Sequence, residues 1–311
     1  MSSSSTSVPG PSWDQGYPVA RSLEVEPGKE VKYTMMHQIG SGAGGNVYKC
    51  MNSKGQVMAV KKVKHHKSDV TFKIMREVRV HGSVEHPNIV KIFHHQYDFE
   101  TGMLEIFLAL KKGSVSSLLR NENPLRLTVP KDFELISKCL KQMLQAIDYL
   151  ATENVIHRDV KPENIMYVMG PDSKPFFQLG DFGLAHDFSS GESPQRWRVG
   201  TKGYMAPELE HVEQFGIQKK HVHKMDVWSL FMTVMWMVDA EHFRNMSRYP
   251  LTFADYYDFA TNAAKSTLRQ YSMMAKWRPE DRASAAQMLV HLYDGEGLST
   301  PRDQIAAIDF P

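Results

Sequence analysis

Two short runs hold the chemistry of this chain: His157-Arg158-Asp159-Val160-Lys161-Pro162-Glu163-Asn164 and Asp181-Phe182-Gly183. Asp181 follows Asn164 by seventeen positions. The side chains suit phosphoryl transfer, which asks a protein mainly to position groups and neutralise charge. Asp159 can accept a hydroxyl proton. A carboxylate is a weak base, so positioning has to supply most of its effect. Lys161 can neutralise charge on the group being transferred. The amide oxygen of Asn164 and the carboxylate of Asp181 can hold Mg²⁺, which prefers a few protein oxygens together with substrate phosphates.

A glycine-rich stretch lies upstream: Ile39-Gly40-Ser41-Gly42-Ala43-Gly44-Gly45-Asn46-Val47. Glycines let backbone amides approach phosphate oxygens with no side chain in the way. Glycine-rich hairpins are common, so the stretch says little alone. A dinucleotide-binding loop should lead into a helix, whereas Asn46 to Met51 reads as a strand. Met58-Ala59-Val60-Lys61 follows on the next strand, where alternation places Ala59 and Lys61 on one face and Lys62 on the other as a solvated charge.

Together these runs resemble the protein kinase family, Ser/Thr branch. Ala206-Pro207-Glu208 and Gly200-Thr201-Lys202-Gly203-Tyr204 add to the match, which spans about residues 33 to 292. The resemblance implies an α+β fold of two lobes. A small antiparallel sheet with one main helix would occupy about 33–110, and a mainly helical lobe about 111–292. It implies ATP and Mg²⁺, with the residues from Ile39 to Val47 over the nucleotide and Lys61 on its phosphates. Glu77 would hold Lys61, with Glu85 exposed nearer the following turn. Adenine would lie between Val47 and Ala59 above and Met166 below. Phe107 would line the back of the pocket, and Leu108 to Leu110 would offer backbone hydrogen bonds. Thr201 would bond toward Asp159 and Lys161, Asp226 would brace the catalytic loop, and Arg282 would pair with Glu208. Cys50 would sit in a small-lobe strand and Cys139 in a large-lobe helix, so a disulfide is not expected.

Three departures stand out. Trp197 replaces the Thr or Ser often found four residues before Thr201. Either Ser189, Ser190 or Ser193 is then the modified residue, or Trp197 orders the segment by packing. Phe231 stands where glycine is usual. His81, four residues after Glu77, takes an aliphatic place in the stack between the lobes. Its imidazole is expected to be neutral and hydrogen-bonded. Glu163 could meet a basic residue upstream of the target hydroxyl.

The bulk numbers agree. The 311 residues carry a formal net charge of +2, too little to argue for nucleic acid as partner. Two lone cysteines fit a reducing, intracellular compartment, cytoplasm or nucleus. The Ser-rich start lacks the basic and apolar regions of a signal peptide. No apolar run reaches membrane-spanning length, and Val227 to Val238 reads as a buried helix. Residues 1–32 read as a flexible Ser/Pro-rich tail and 293–311 as a short C-terminal tail.

The expected partners are protein substrates with Ser or Thr acceptors, with an upstream activator possible. The alternative is a pseudokinase that signals by shape, although such proteins generally lose one of the key Lys or Asp groups and none is lost here. A small-molecule phosphotransferase would not need the peptide platform around Gly200 and Glu208.

Overall fold

The computed structural model describes residues 31–42, 44–64, 70–98, 100–120, 133–190, 198–211, 218–246 and 251–310. Side chains of 70–75, 190, 245 and 246 are not described either. Ala43, Ser193, Trp197 and most of the Ser/Pro-rich tail lie outside the described residues.

The fold is α+β with two lobes. Five antiparallel strands form the small-lobe sheet in the order β1-β2-β3-β5-β4. They are β1 (Tyr33–Gly42), β2 (Gly45–Asn52), β3 (Val57–Lys64), β4 (Ile92–Asp98) and β5 (Met103–Leu108). Asn52 Oδ1 accepts from the amides of Lys54 and Gln56 and closes the β2–β3 turn. Asp98 Oδ1 does the same for Glu100 and Thr101 before β5. These Asx turns follow from side chains that hydrogen-bond their own downstream backbone.

Period-two alternation then sorts the sheet. One face buries Val31, Cys50, Met58, Val60 and Phe107. The other buries Leu104 and Ile106 against Val78 of α1 (Val70–Gly82). Lys62 is not the solvated charge the sequence predicts. It lies 2.7 Å from the buried carboxylate of Glu105, its cross-strand neighbour, which also accepts from Tyr33. A buried carboxylate demands such partners.

The large lobe is built on α3 (Phe133–Thr152) and α5 (Lys224–Val238). Along α3, Ile136, Leu140, Met143, Ile147 and Leu150 recur at helical spacing and are buried. α5 is buried from Lys224 to Met237, and Phe231 is a core residue there. Smaller elements complete the lobe: β6 (Gly113–Ser114), α2 (Val115–Leu119), β7 (Val155–Ile156), β8 (Ile165–Met169), β9 (Pro175–Leu179), β10 (His186–Asp187), α4 (Pro207–Glu210), α6 (Phe243–Met246), α7 (Phe253–Lys265) and α8 (Ala285–Tyr293). Cys50 and Cys139 are buried free thiols. No helix among the described residues is long and apolar enough to cross a membrane.

The residues after α8 return to α3. The buried Asp148 accepts from the amides of Ser299 and Thr300 and from the Thr300 hydroxyl, at 2.6–3.0 Å. Phe310 stacks flat on His291 at 3.8 Å.

Candidate active site

The catalytic loop follows β7 and is held from behind by α5. Asp226 accepts from the backbone amides of His157 (2.7 Å) and Arg158 (2.8 Å). Arg158 has φ +66°, a left-handed conformation that costs energy for a residue with a Cβ. Paired anchors of this kind hold such backbone in place. Asp159 is thereby presented at the mouth of the loop.

Four side chains meet there. Thr201 Oγ1 donates to Asp159 Oδ1 at 2.6 Å. Lys161 Nζ donates to Asp159 Oδ2 at 2.8 Å and to Thr201 Oγ1 at 2.6 Å. Asn164 Nδ2 donates to the Asp159 carbonyl and to Oδ2, each at 2.8 Å. Because the amide nitrogen is spent on Asp159, the amide oxygen is the part of Asn164 left for a cation. Gly200 sets Thr201 in place: its φ is +141°, and a Cβ would come within 2.9 Å of the Arg158 carbonyl.

The second cluster joins the lobes. Lys61 Nζ sits 2.7 Å from Glu77 Oε1 and 2.9 Å from Asp181 Oδ1. Burial works against the Lys61 ammonium, but the Glu77 and Asp181 carboxylates outweigh it and hold its pKa above the ordinary value. Burial also opposes the Asp181 charge. Lys61 overcomes that and keeps the carboxyl below its usual range. Asp181 is therefore an ionised carboxylate, and its side chain is 42% exposed toward the cleft. Asn164 and Asp181 make an oxygen donor set suited to Mg²⁺ bound on phosphates.

Phe182 turns the other way and is fully buried. It stacks on His81 at 4.3 Å and meets His157 edge-on at 4.9 Å. His81 Nε2 lies 2.6 Å from the Val90 carbonyl. A carbonyl only accepts, so Nε2 carries the proton. Burial drives the His81 pKa down to about 4, and the ring is neutral, as the sequence predicts.

The glycine turn closes the β1–β2 hairpin over this region. Gly40 pairs with Val47, Ser41 with Asn46 and Gly42 with Gly45. Ile39 is 45% exposed, an apolar side chain left for a ligand to cover. At Gly45, φ is +116° and a Cβ would sit 2.4 Å from the Lys62 carbonyl, so only glycine fits. A Cβ on Gly44 would meet Lys61 Nζ at 3.1 Å, and one on Gly42 would meet nothing within 4 Å. Protein packing does not require glycine at 42. Close approach of phosphates would.

The back of the cleft differs from expectation by one residue. Ala59 pairs with Leu108 and Lys61 with Ile106, so Leu108 and Ile106 share the cleft face. Phe107 pairs with Val60 and is buried on the opposite face with Val31 and Met58. Leu108 takes the place predicted for Phe107. The Ala109 amide is spent on the Lys91 carbonyl. Met166 and Val47 are half-buried on opposite sides of the cleft. Leu110 and Lys111 follow the strand, and Lys111 Nζ donates to Gln178, with burial pulling that amine down to about 8. Neither Leu108 nor Lys111 was picked out for its side chain, because Ile106 to Leu110 is apolar throughout and gives no period to read.

Further out, Arg282 makes a fully buried bidentate pair with Glu208 at 2.7 and 2.9 Å. This ties α4, at the end of the 181–208 segment, to the loop before α8.

A two-lobed fold with an ammonium–carboxylate pair at the cleft and an Asp–Lys–Thr cluster beneath it is the arrangement of the protein kinase fold. Comparison with known proteins agrees. The description Protein kinase domain matches residues 33–293. The chain is 30% identical over 270 residues to an Aurora kinase of Schizosaccharomyces pombe, covering 81% of this chain and 68% of that one. It is 30% identical to serine/threonine-protein kinase 10 of Homo sapiens (83% and 26% covered) and 31% identical to calcium-dependent protein kinase 5 of Plasmodium berghei (62% and 32%). The chain thus spans about a third of the calcium-dependent kinase and a quarter of kinase 10. It belongs to the protein kinase family, which uses ATP with Mg²⁺ as phosphoryl donor.

Proposed function

We propose that residues 33–292 are an active catalytic domain that phosphorylates Ser and Thr hydroxyls of protein substrates. The observation that carries this reading is the Asp159–Lys161–Thr201 cluster, closed at 2.6–2.8 Å while Lys61 holds both Glu77 and Asp181. No group that the chemistry needs is missing, which weighs against a scaffold without activity.

Mg-ATP supplies the electrophilic phosphoryl group. Asp159 orients an acceptor hydroxyl and takes its proton. Lys161 and Lys61 bring fixed positive charge to the phosphate oxygens, where preorganised charge contributes most. Asn164 and Asp181 would hold the Mg²⁺, which would neutralise charge on the phosphate oxygens. The glycine-rich hairpin, from Ile39 to Gly42 and from Gly44 to Val47, roofs the cleft. Ala59, Val47, Leu108 and Met166 enclose the base, and the backbone from Ala109 through Leu110 to Lys111 meets its edge. Thr201 bonded to Asp159 and Lys161 favours Ser/Thr acceptors, as does the name of the similar serine/threonine-protein kinase 10.

A site of this kind acts inside the cell, where ATP is available. Activation by an upstream kinase is one route to it. Ser189 is exposed and its hydroxyl donates to Asp187 at 2.6 Å. The test is ³²P transfer from Mg-ATP to a degenerate Ser/Thr peptide library and to the enzyme itself, beside Asp159→Asn. Transfer by wild type alone supports the reading. Equal counts from both would refute it.

A further inference from the structure

The acceptor side of the cleft carries a charge arrangement that the motifs do not announce. Glu163 lies in the catalytic loop, and its carboxylate faces the guanidinium of Arg120 at 3.5 Å. Arg120 follows α2 directly, and its amide donates to the Ser116 carbonyl, so its backbone is anchored. Its guanidinium lies over the Trp236 ring, 5.9 Å from the centroid. Arg244 lies over the same indole at 4.7 Å. Each cation is attracted to the ring, while the Arg120 charge works against that of Arg244. Arg244 is committed to the carbonyls of Trp236 and Met237. Arg120 keeps most of its donors in solvent, with its side chain 65% exposed.

The pair borders the place where the acceptor must bind. Glu163 follows Asp159 by four residues in the catalytic loop, and α2, which Arg120 follows, is tied to that loop by the Ser116 amide donating to the Pro162 carbonyl at 3.0 Å. A substrate side chain next to the acceptor that passes Glu163 therefore also meets Arg120.

We propose that Arg120 determines substrate choice: it cancels the Glu163 carboxylate and offers its own guanidinium, so the enzyme selects acceptors with an acidic residue at the flanking position that passes Glu163, and not a basic one. This rests on the protein kinase reading of the site. Lone Glu163 would attract arginine or lysine. Beside the Arg120 guanidinium its charge is balanced, and the donors that Arg120 keeps in solvent form a planar fork that suits a carboxylate or phosphate. The basic preference expected from Glu163 alone is thereby reversed.

The test is a positional peptide library phosphorylated by wild type, Arg120→Ala and Arg120→Glu. Wild type is expected to enrich Asp and Glu at one flanking position. Arg120→Ala is expected to lose that enrichment, and Arg120→Glu to replace it with Arg and Lys by about tenfold, which corresponds to roughly 1.4 kcal/mol. Arg or Lys enrichment by wild type, or the same profile from all three proteins, would overturn the proposal. Total incorporation against Asp159→Asn reports separately on activity.

Fluorescence anisotropy with peptides carrying Ala at the acceptor needs no catalysis. Wild type should bind the Glu-flanked peptide more tightly than the Arg-flanked one, and Arg120→Glu the reverse. Equal binding of both peptides to both proteins would also overturn it.

Discussion

Asp159 and Lys61 do different work, and their substitutions should separate. Asp159→Asn keeps the size of the side chain but removes the proton acceptor. General-base groups contribute about 10²–10⁴-fold, so kcat should fall in that range while ATP affinity, read by calorimetry, holds. Lys61→Met should instead weaken ATP binding and leave Glu77 buried without its ammonium. Losing one member of a buried ion pair costs about 3–5 kcal/mol, so its melting temperature should also drop. Burial, helped by the nearby Asp181 charge, pushes the Glu77 pKa up against the pull of Lys61.

His81 supports a pH prediction at the same scale. Its folded pKa, lowered to about 4, lies below the ordinary histidine value of about 6.5. Between those values the unfolded chain binds a proton that the folded chain does not. Stability is then complete above about pH 6.5 and falls as pH drops toward 4, by about 1.4 kcal/mol per unit. His81→Leu should flatten the slope of melting temperature against pH in that window. Activity between about pH 7 and 8 should be insensitive to the change, because the ring is neutral throughout.

Elements decide which residues meet. The β1–β2 hairpin, β3 and the helix bearing Glu77 were legible because glycines, alternation and helical spacing mark them. The register of β5 was not. Leu104, Ile106 and Leu108 face the cleft side while Phe107 is buried on the other, so both faces are apolar and alternation carries no signal. Lys62 misled for a related reason: its partner Glu105 is distant in sequence, and a buried acid on β5 cannot be paired by local pattern. Arg120 was silent because its meaning depends on Trp236, which belongs to α5. The Glu208–Arg282 pair acts between elements. It is fully buried, and Arg282→Ala should destabilise the large lobe by about 3–5 kcal/mol. Thermal unfolding would detect that as a clear fall in melting temperature. Activity at low temperature should fall less than with Asp159→Asn.

At the scale of the molecule, the two lobes meet through Lys61–Asp181, with Glu77 holding Lys61 from within the small lobe, and through the stack of His81, Phe182 and His157. The large lobe is closed by the residues after α8. The bonds from Ser299 and Thr300 to Asp148 bridge about 150 positions, a separation no local pattern encodes. Hydrogen bonds to charged groups contribute about 1.5–3 kcal/mol each. Thr300→Val should therefore lower thermal stability, and Asp148→Ala, which loses three such bonds at once, should lower it further. Neither residue lies in the cleft, so ATP affinity of the folded fraction should be unchanged.

The measurement that bears most directly on the whole account is phosphate incorporation from Mg-ATP into the degenerate Ser/Thr library by wild type and Asp159→Asn. Phosphoserine and phosphothreonine from wild type, with a loss of at least about a hundredfold in Asp159→Asn, is the expected result. ATP binding by both proteins with no incorporation by either would contradict it.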